Sequence, residues 1–174
     1  RTLFGKILRV NRDGTTPSDN PYGEYPAYAL GFRNVFGFAF HPTTGQLYAT
    51  DNGPEGSDEL NLVRPGHDYG YPSIEGGPGG VAGLEDPLWD SADERLGITG
   101  LTFYSGRLFP EYAGDLFFCA FTTGALRRVR LTGLALDDVE WVELISHDCR
   151  LDVTNGPDGT LYFSDLARIF RLSR

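Results

Sequence analysis

The sequence predicts an all-β fold assembled from repeated antiparallel units, and three observations carry that expectation. Glycine and proline are dense, at 23 and 11 of 174 residues, beside 12 Phe, 9 Tyr and 2 Trp, a composition of short strands joined by tight turns. One hairpin pattern occurs three times. A short strand that alternates apolar residues with Arg or Asn follows each copy.

The hairpin copies cover residues 37–53, 100–121 and 150–166. Each consists of two period-2 runs around a Gly-containing turn. In the last copy residues 155–159 supply Asn-Gly-Pro-Asp-Gly turn chemistry and are read as structural. The short strands fall in residues 59–66, 125–133 and 168–174, and a fourth copy in residues 5–14 has no hairpin before it. Strand alternation puts Leu126, Arg128 and Arg130 on one face and Arg127, Val129 and Leu131 on the other.

The short strands begin near residues 7, 60, 126 and 169, at spacings of about 53, 66 and 43 residues. The shortest spacing approaches the ~40–45 residues of one four-stranded propeller blade. The expected fold is therefore a β-propeller, with about three blades plus one strand present in a single partial domain over residues 1–174. Residues 73–98, rich in Gly and Pro, are read as a loop inserted in the repeat. A closed propeller needs about four to eight blades, so the chain is read as roughly half of one. No segment holds a sustained helical period, and residues 90–96 are the best candidate for a single helical turn.

Apolar residues make up 40 % and charged residues 22 %, which fits a globular chain and not a disordered one. The net charge of −9 is a poor match to a phosphate backbone and a better one to cations or neutral ligands, so no nucleic-acid partner is expected. No run of 18 apolar residues occurs, so no membrane-spanning helix is expected. The chain has no Met and begins at Arg1, which reads as either a processed protein or a piece of a longer gene product. Apart from Lys6 its basic residues are all arginine. Cys119 and Cys149 show no CxxC or zinc spacing. They form either a disulfide, in an oxidising compartment, or two buried thiols.

The chemistry-bearing residues concentrate in residues 51–72, where Asp51, Asn52, Glu55, Asp58, Glu59 and Asp68 share a Gly/Pro loop. Calcium takes 6–8 oxygen ligands, and such a loop can supply them. The alternative is an acidic, solvated loop with Asx-turns. An EF-hand does not fit, because its twelfth position counted from Asp51 is Leu62. Arg33 and Asn34 stand at the entrance of an apolar strand. The arginine there either stacks on a planar ligand or forks onto a carboxylate, or it caps a loop. His41, His67 and His147 form no ligand cluster by spacing, and each is either a base or an ordinary surface residue. No nucleophile elbow, phosphate loop or dinucleotide fingerprint occurs. The glycine-rich run at 76–80 lacks the Lys and Ser/Thr that a phosphate cradle needs.

Taken together, residues 5–14, 20–54 and 58–72, and then the hairpins and short strands of residues 100–174, resemble in order the soluble glucose/sorbosone dehydrogenases, or aldose sugar dehydrogenases. Residues 33–72 are the most specific part and residues 73–98 contribute least. The resemblance implies a six-bladed β-propeller that holds pyrroloquinoline quinone (PQQ) with calcium and oxidises the anomeric carbon of aldoses. Its partners are then a small sugar and an external electron acceptor, and its location is periplasmic or secreted. The family's general base is a histidine of an earlier blade, so no catalytic base is assigned in this chain. Carried over by position, Arg33 and Asn34 contact the quinone, the Gly53 and Pro54 carbonyls hold the cofactor calcium, and Glu59 and Tyr69 belong to a further, structural calcium site.

The sequence also departs from the family. A lysine is expected after the strand that ends near Phe121, where this chain has Thr122 and Thr123. Two alternating arginines are expected where Cys149 and Leu151 stand, with Arg150 between them and expected on the opposite face. Burying a tricarboxylate without matched cations is costly. Either other residues anchor the quinone, or the protein is a non-catalytic calcium- or carbohydrate-binding propeller. Unpaired blade faces would also favour self-association.

Overall fold

The computed structural model describes residues 2–133 and 139–173. Arg1 and Arg174, which bound the chain in the sequence reading, lie outside them. The three hairpins are present as read. They are β3 (Val35–Phe40) with β4 (Leu47–Asp51), β7 (Ile98–Phe103) with β8 (Leu116–Ala120), and β11 (Asp152–Asn155) with β12 (Leu161–Ser164). The short strands become β5 (Glu59–Val63), β9 (Leu126–Leu131) and β13 (Ile169–Arg171), each antiparallel to the hairpin before it, and β1 (Lys6–Leu8) at the start.

Three further strands complete the units. β2 (Ala27–Leu30) pairs with β1, β6 (Trp89–Asp90) with β5, and β10 (Val139–Ser146) with β9. The result is two four-stranded blades, β3-β4-β5-β6 and β7-β8-β9-β10, flanked by the two-stranded sheet β1-β2 and the three-stranded sheet β11-β12-β13. The stretch read as an inserted loop therefore contributes an outer strand. It also buries Leu88 and Leu96 in the core. Residues 90–96 form a turn closed by the Glu94 N–H to the Ser91 carbonyl at 3.0 Å. A helical turn is blocked there because Ala92 adopts φ 50°, outside the right-handed region. The one helical element among the described residues is a 3-10 turn at Pro110–Tyr112. No described helix is long and apolar enough to cross a membrane.

The blades stack face to face through three apolar cores, because alternate residues of each strand point to opposite neighbours. Ala29, Phe32, Leu47, Ala49, Val63 and Tyr69 fill the first interface. Tyr48, Leu60, Leu62, Leu101, Phe118 and Val129 are central to the second. Tyr104, Phe117, Cys119, Leu126, Cys149 and Phe163 are central to the third. The innermost strands approach closely through glycine: a Cβ at Gly100 would lie 2.0 Å from the Asp152 carboxylate. Cys119 and Cys149, both fully buried, form a disulfide across the third interface. The β9 alternation is as read, with Val129 in the second interface and Leu126 in the third.

Arg128 shares the Leu126 face and is 6 % exposed. It binds Asp115 through Nε at 2.7 Å and Nη2 at 2.6 Å, lies over the Tyr112 ring, and shares Asp115 with Arg130 at 3.2 Å. Removing one partner of such a pair leaves a buried charge uncompensated. Asp115→Ala should therefore destabilise the protein by about 3–5 kcal/mol in equilibrium urea unfolding, whereas the more exposed partner change Glu140→Ala should cost less than about 1 kcal/mol.

Candidate functional site

The segment 52–54, just past β4, forms the wall between two clefts. One is a cavity of about 20 Å³, lined by Arg33, Asp51, Gly53, Pro54, Glu59 and Tyr69 among others. The other is an open cleft of about 340 Å³, lined by Arg33, Asn34, Gly53 and Pro54 on one side and by Phe121 and Thr122 on the other. The structure thus gathers all six residues singled out from the sequence around one segment. Arg33, Gly53 and Pro54 face both clefts, Asn34 the larger, and Glu59 and Tyr69 the smaller.

Buried carboxylates fix this geometry by accepting backbone N–H groups. Asp51 takes the Arg33 N–H at 2.9 Å and the Asn34 N–H at 2.6 Å. Burial raises its pKa, and those N–H bonds oppose the rise. Asp58 takes the Gly53 N–H at 3.2 Å, the Leu96 N–H at 2.9 Å and the Gly97 N–H at 2.7 Å. Gly53 tolerates no side chain, since a Cβ there would lie 1.8 Å from the Gly56 carbonyl oxygen. The Arg33 guanidinium turns onto the same segment, donating from Nη1 to the Asn52 carbonyl at 2.9 Å and the Gly53 carbonyl at 3.2 Å.

Glu59 is the exception among these acids. It is buried, and the Asn61 amide at 3.0 Å is its side-chain partner. Asp51 and Asp90 are its direct cross-strand neighbours in β4 and β6, so three carboxylates stand in a row on one face. Burial first, then the nearby Asp51, Asp90 and Asp58, push its pKa to about 7. Burial also raises the Tyr69 phenol, which donates to the Leu62 carbonyl and accepts the Arg64 N–H at 3.0 Å.

These residues fit a cation. The small cavity has room for about one ion or water. Asn52 Oδ1 and Asn61 Oδ1 are buried and accept no hydrogen bond among the described residues. No three His, Cys, Asp or Glu side chains converge as a ligand set among those residues. A hard cation would therefore be held largely by carbonyl and amide oxygens, with Glu59 as its charged ligand.

The positions that depart from the family lie elsewhere or are neutral. Thr122 lines the larger cleft. Cys149 is locked in the disulfide, and Leu151 lines a separate cleft beside Phe36 and Gly100. Residues 149–151 precede β11, so strand alternation does not govern where Arg150 points. The Arg150 and Leu151 N–H groups both bond the Ser164 carbonyl, at 2.8 and 3.1 Å, ahead of the regular ladder. The Arg150 guanidinium donates to the Phe121 and Thr122 carbonyls and holds that turn. The histidines line neither cleft. His41 packs edge-on against Phe103 at 4.8 Å, and His67 pairs with Glu85 at 2.5 Å. Asn52 and Arg95 line the larger cleft without having been singled out for it, Arg95 because its loop carries no recognisable motif.

Stacked four-stranded antiparallel blades with a cleft at their rim define a β-propeller protein. Residues 1–170 match the glucose/sorbosone dehydrogenase family, and the chain belongs to it. It is 30 % identical to the aldose sugar dehydrogenase YliI of Escherichia coli, over 92 % of this chain and 47 % of that protein. A crystal structure of a glucose dehydrogenase superposes with a TM-score of 0.80 at 34 % identity, over 93 % of this chain and 51 % of the other. The PQQ-bound aldose sugar dehydrogenase of Streptomyces coelicolor does so with a TM-score of 0.76 at 30 % identity, over 94 % of this chain and 46 % of the other. The chain spans about half the length of these relatives.

Because the folded Glu59 holds its proton more tightly than an unfolded glutamate, its contribution is fully present below pH 4.5 and is lost as pH rises through about 7. In chelator-treated protein, Glu59→Gln should raise stability at pH 8 by about 3 kcal/mol relative to wild type and remove that pH dependence. Urea midpoints across pH 4.5–8 check this.

Proposed function

We propose that the protein containing this chain oxidises the anomeric carbon of aldoses, with calcium-held PQQ as the hydride acceptor and an external acceptor taking the electrons onward. The observation that carries this reading is the 340 Å³ cleft, where Arg33, Asn34, Gly53 and Pro54 meet the exposed rings of Phe36 and Phe121. Its size suits a small ligand, and its two rings and guanidinium groups suit a planar anion. When bound, the quinone supplies two-electron redox chemistry. The chain's own residues bind and orient. Arg33 offers a fork, the Gly53 carbonyl a hard oxygen, and the Asp51 and Asp58 carboxylates keep both in place. Glu59, with Tyr69 beside it, would hold a second calcium in the smaller cavity.

The buried disulfide supports a periplasmic or secreted location, since such bonds persist in oxidising compartments. On the other flank Phe36, Phe38 and Phe40 are exposed over a cleft of about 650 Å³ beside β1. Such a face would drive self-association of the chain in isolation.

A second reading, a propeller that binds calcium or carbohydrate without the quinone, is favoured by Thr122 and by the burial of Cys149 in the disulfide. Titration of the full-length protein with PQQ, with and without calcium, separates the two, alongside dye-linked oxidation of a panel of aldoses. The dehydrogenase should bind tightly only with calcium and should turn over. Calcium binding with neither quinone binding nor turnover would leave the second reading standing.

A further inference from the structure

The larger cleft carries two arginines in a chain of net charge −9. Three charged side chains line it: Arg33, Arg95 and Asp58. Asp58 is committed to three backbone N–H groups, so the two guanidinium groups are left to face a ligand. Arg33 has spent Nη1 on the Asn52 and Gly53 carbonyls. Arg95 projects from the loop before β7. Its backbone is fixed, because the next two residues, Leu96 and Gly97, both donate their N–H groups to Asp58.

The Arg95 side chain is 63 % exposed, and among the described residues its polar partner is Glu55, itself 76 % exposed, through an ion pair and an Nε bond to the Glu55 carbonyl at 3.1 Å. An ion pair between two such exposed side chains adds little to folding. A ligand carboxylate can displace it at small cost, and the guanidinium fork matches a carboxylate in two parallel bonds. On the same side of the cleft, Thr122, whose N–H bonds the Leu96 carbonyl at 3.0 Å, offers no charge, and Arg150 is occupied by the carbonyls of the Phe121–Thr122 turn.

We infer that Arg95 is an anchoring residue for a carboxylate of the ligand in this cleft, supplying from the loop before β7 the cation that Thr122 does not. This rests on the reading of the cleft as the quinone site. Glu55 then acts as a placeholder that keeps the guanidinium extended toward the cleft until the ligand arrives.

The test titrates PQQ into the full-length protein with calcium present, following quinone binding by absorbance and calcium affinity by calorimetry. Arg95→Ala should weaken quinone binding by about 10- to 100-fold, with calcium affinity and thermal midpoint unchanged. Arg95→Lys should retain most of the binding, and Thr122→Lys added to Arg95→Ala should recover part of it. Glu55→Gln, which frees the guanidinium, should tighten it. The inference is overturned if wild type binds the quinone and Arg95→Ala binds within twofold of it, or if Glu55→Gln weakens binding. If wild type binds no quinone at all, the quinone reading itself fails and the inference falls with it.

Discussion

The Asp58 carboxylate holds the rim of the two clefts together. It lies at the start of β5, is 3 % exposed, and accepts N–H groups from Gly53, Leu96 and Gly97. Its own N–H goes to the Ser91 hydroxyl at 2.8 Å. These partners belong to two loops far apart in sequence, one after β4 and one before β7. A buried N–H left without its acceptor costs about 1–3 kcal/mol, so the two loops hold their places only as a pair. The wall of both clefts at Gly53 and the loop that presents Arg95 are thereby one rigid piece. An aspartate suits this task because an anion accepts several N–H groups at once, more strongly than a neutral oxygen would.

The same rule shows why Glu59 differs. Asp51 and Asp58 each gather backbone donors, and Asp115 gathers Arg128 and Arg130. Glu59 has a single amide donor and two acidic cross-strand neighbours. A blade gains nothing by placing like charges side by side, and a fold of marginal stability retains such a row only where something offsets it. A cation in the adjoining cavity would offset it, and it would also employ the orphaned Asn52 oxygen. A proton can do so as well, which is the meaning of the raised pKa.

The blade pattern was legible because strand alternation and glycine turns are local. The three hairpins and four short strands stand where periodicity put them. The outer strands were not legible. β6 is two residues long inside a Gly/Pro-rich stretch, and its strand character comes from pairing with β5, a tertiary effect no local window contains. For the site, Arg33, Asn34, Gly53, Pro54, Glu59 and Tyr69 were marked by resemblance, and the structure gathers them. Spacing alone could say only that acids and glycines were concentrated there. Arg95 was invisible for a physical reason. Its place at the cleft depends on Asp58, 37 positions earlier, and on a left-handed Ala92 that ends any helical reading of its loop. Strand alternation could not place Arg150, because the regular strand begins only at Asp152 and the Arg150 and Leu151 N–H groups share one carbonyl ahead of it.

The third interface explains why the cations should have moved. Its core is apolar, made by Tyr104, Phe117, Leu126 and Phe163 around the buried disulfide. An arginine at position 149 would enter that core, where a charge needs a dedicated counter-ion. The interface already meets this demand once, for Arg128, using Asp115, the Glu111 carbonyl and the Tyr112 ring. The acid next to Cys149 in sequence, Asp148, is half exposed. With the disulfide in place, position 149 can add covalent restraint but no charge toward the cleft. The adjacent Arg150 is spent bracing the Phe121–Thr122 turn. A ligand anion in the larger cleft must therefore be met by Arg33 from the neighbouring blade and by the loop before β7, which Asp58 ties to Gly53 and which accepts the Phe121 and Thr122 N–H groups.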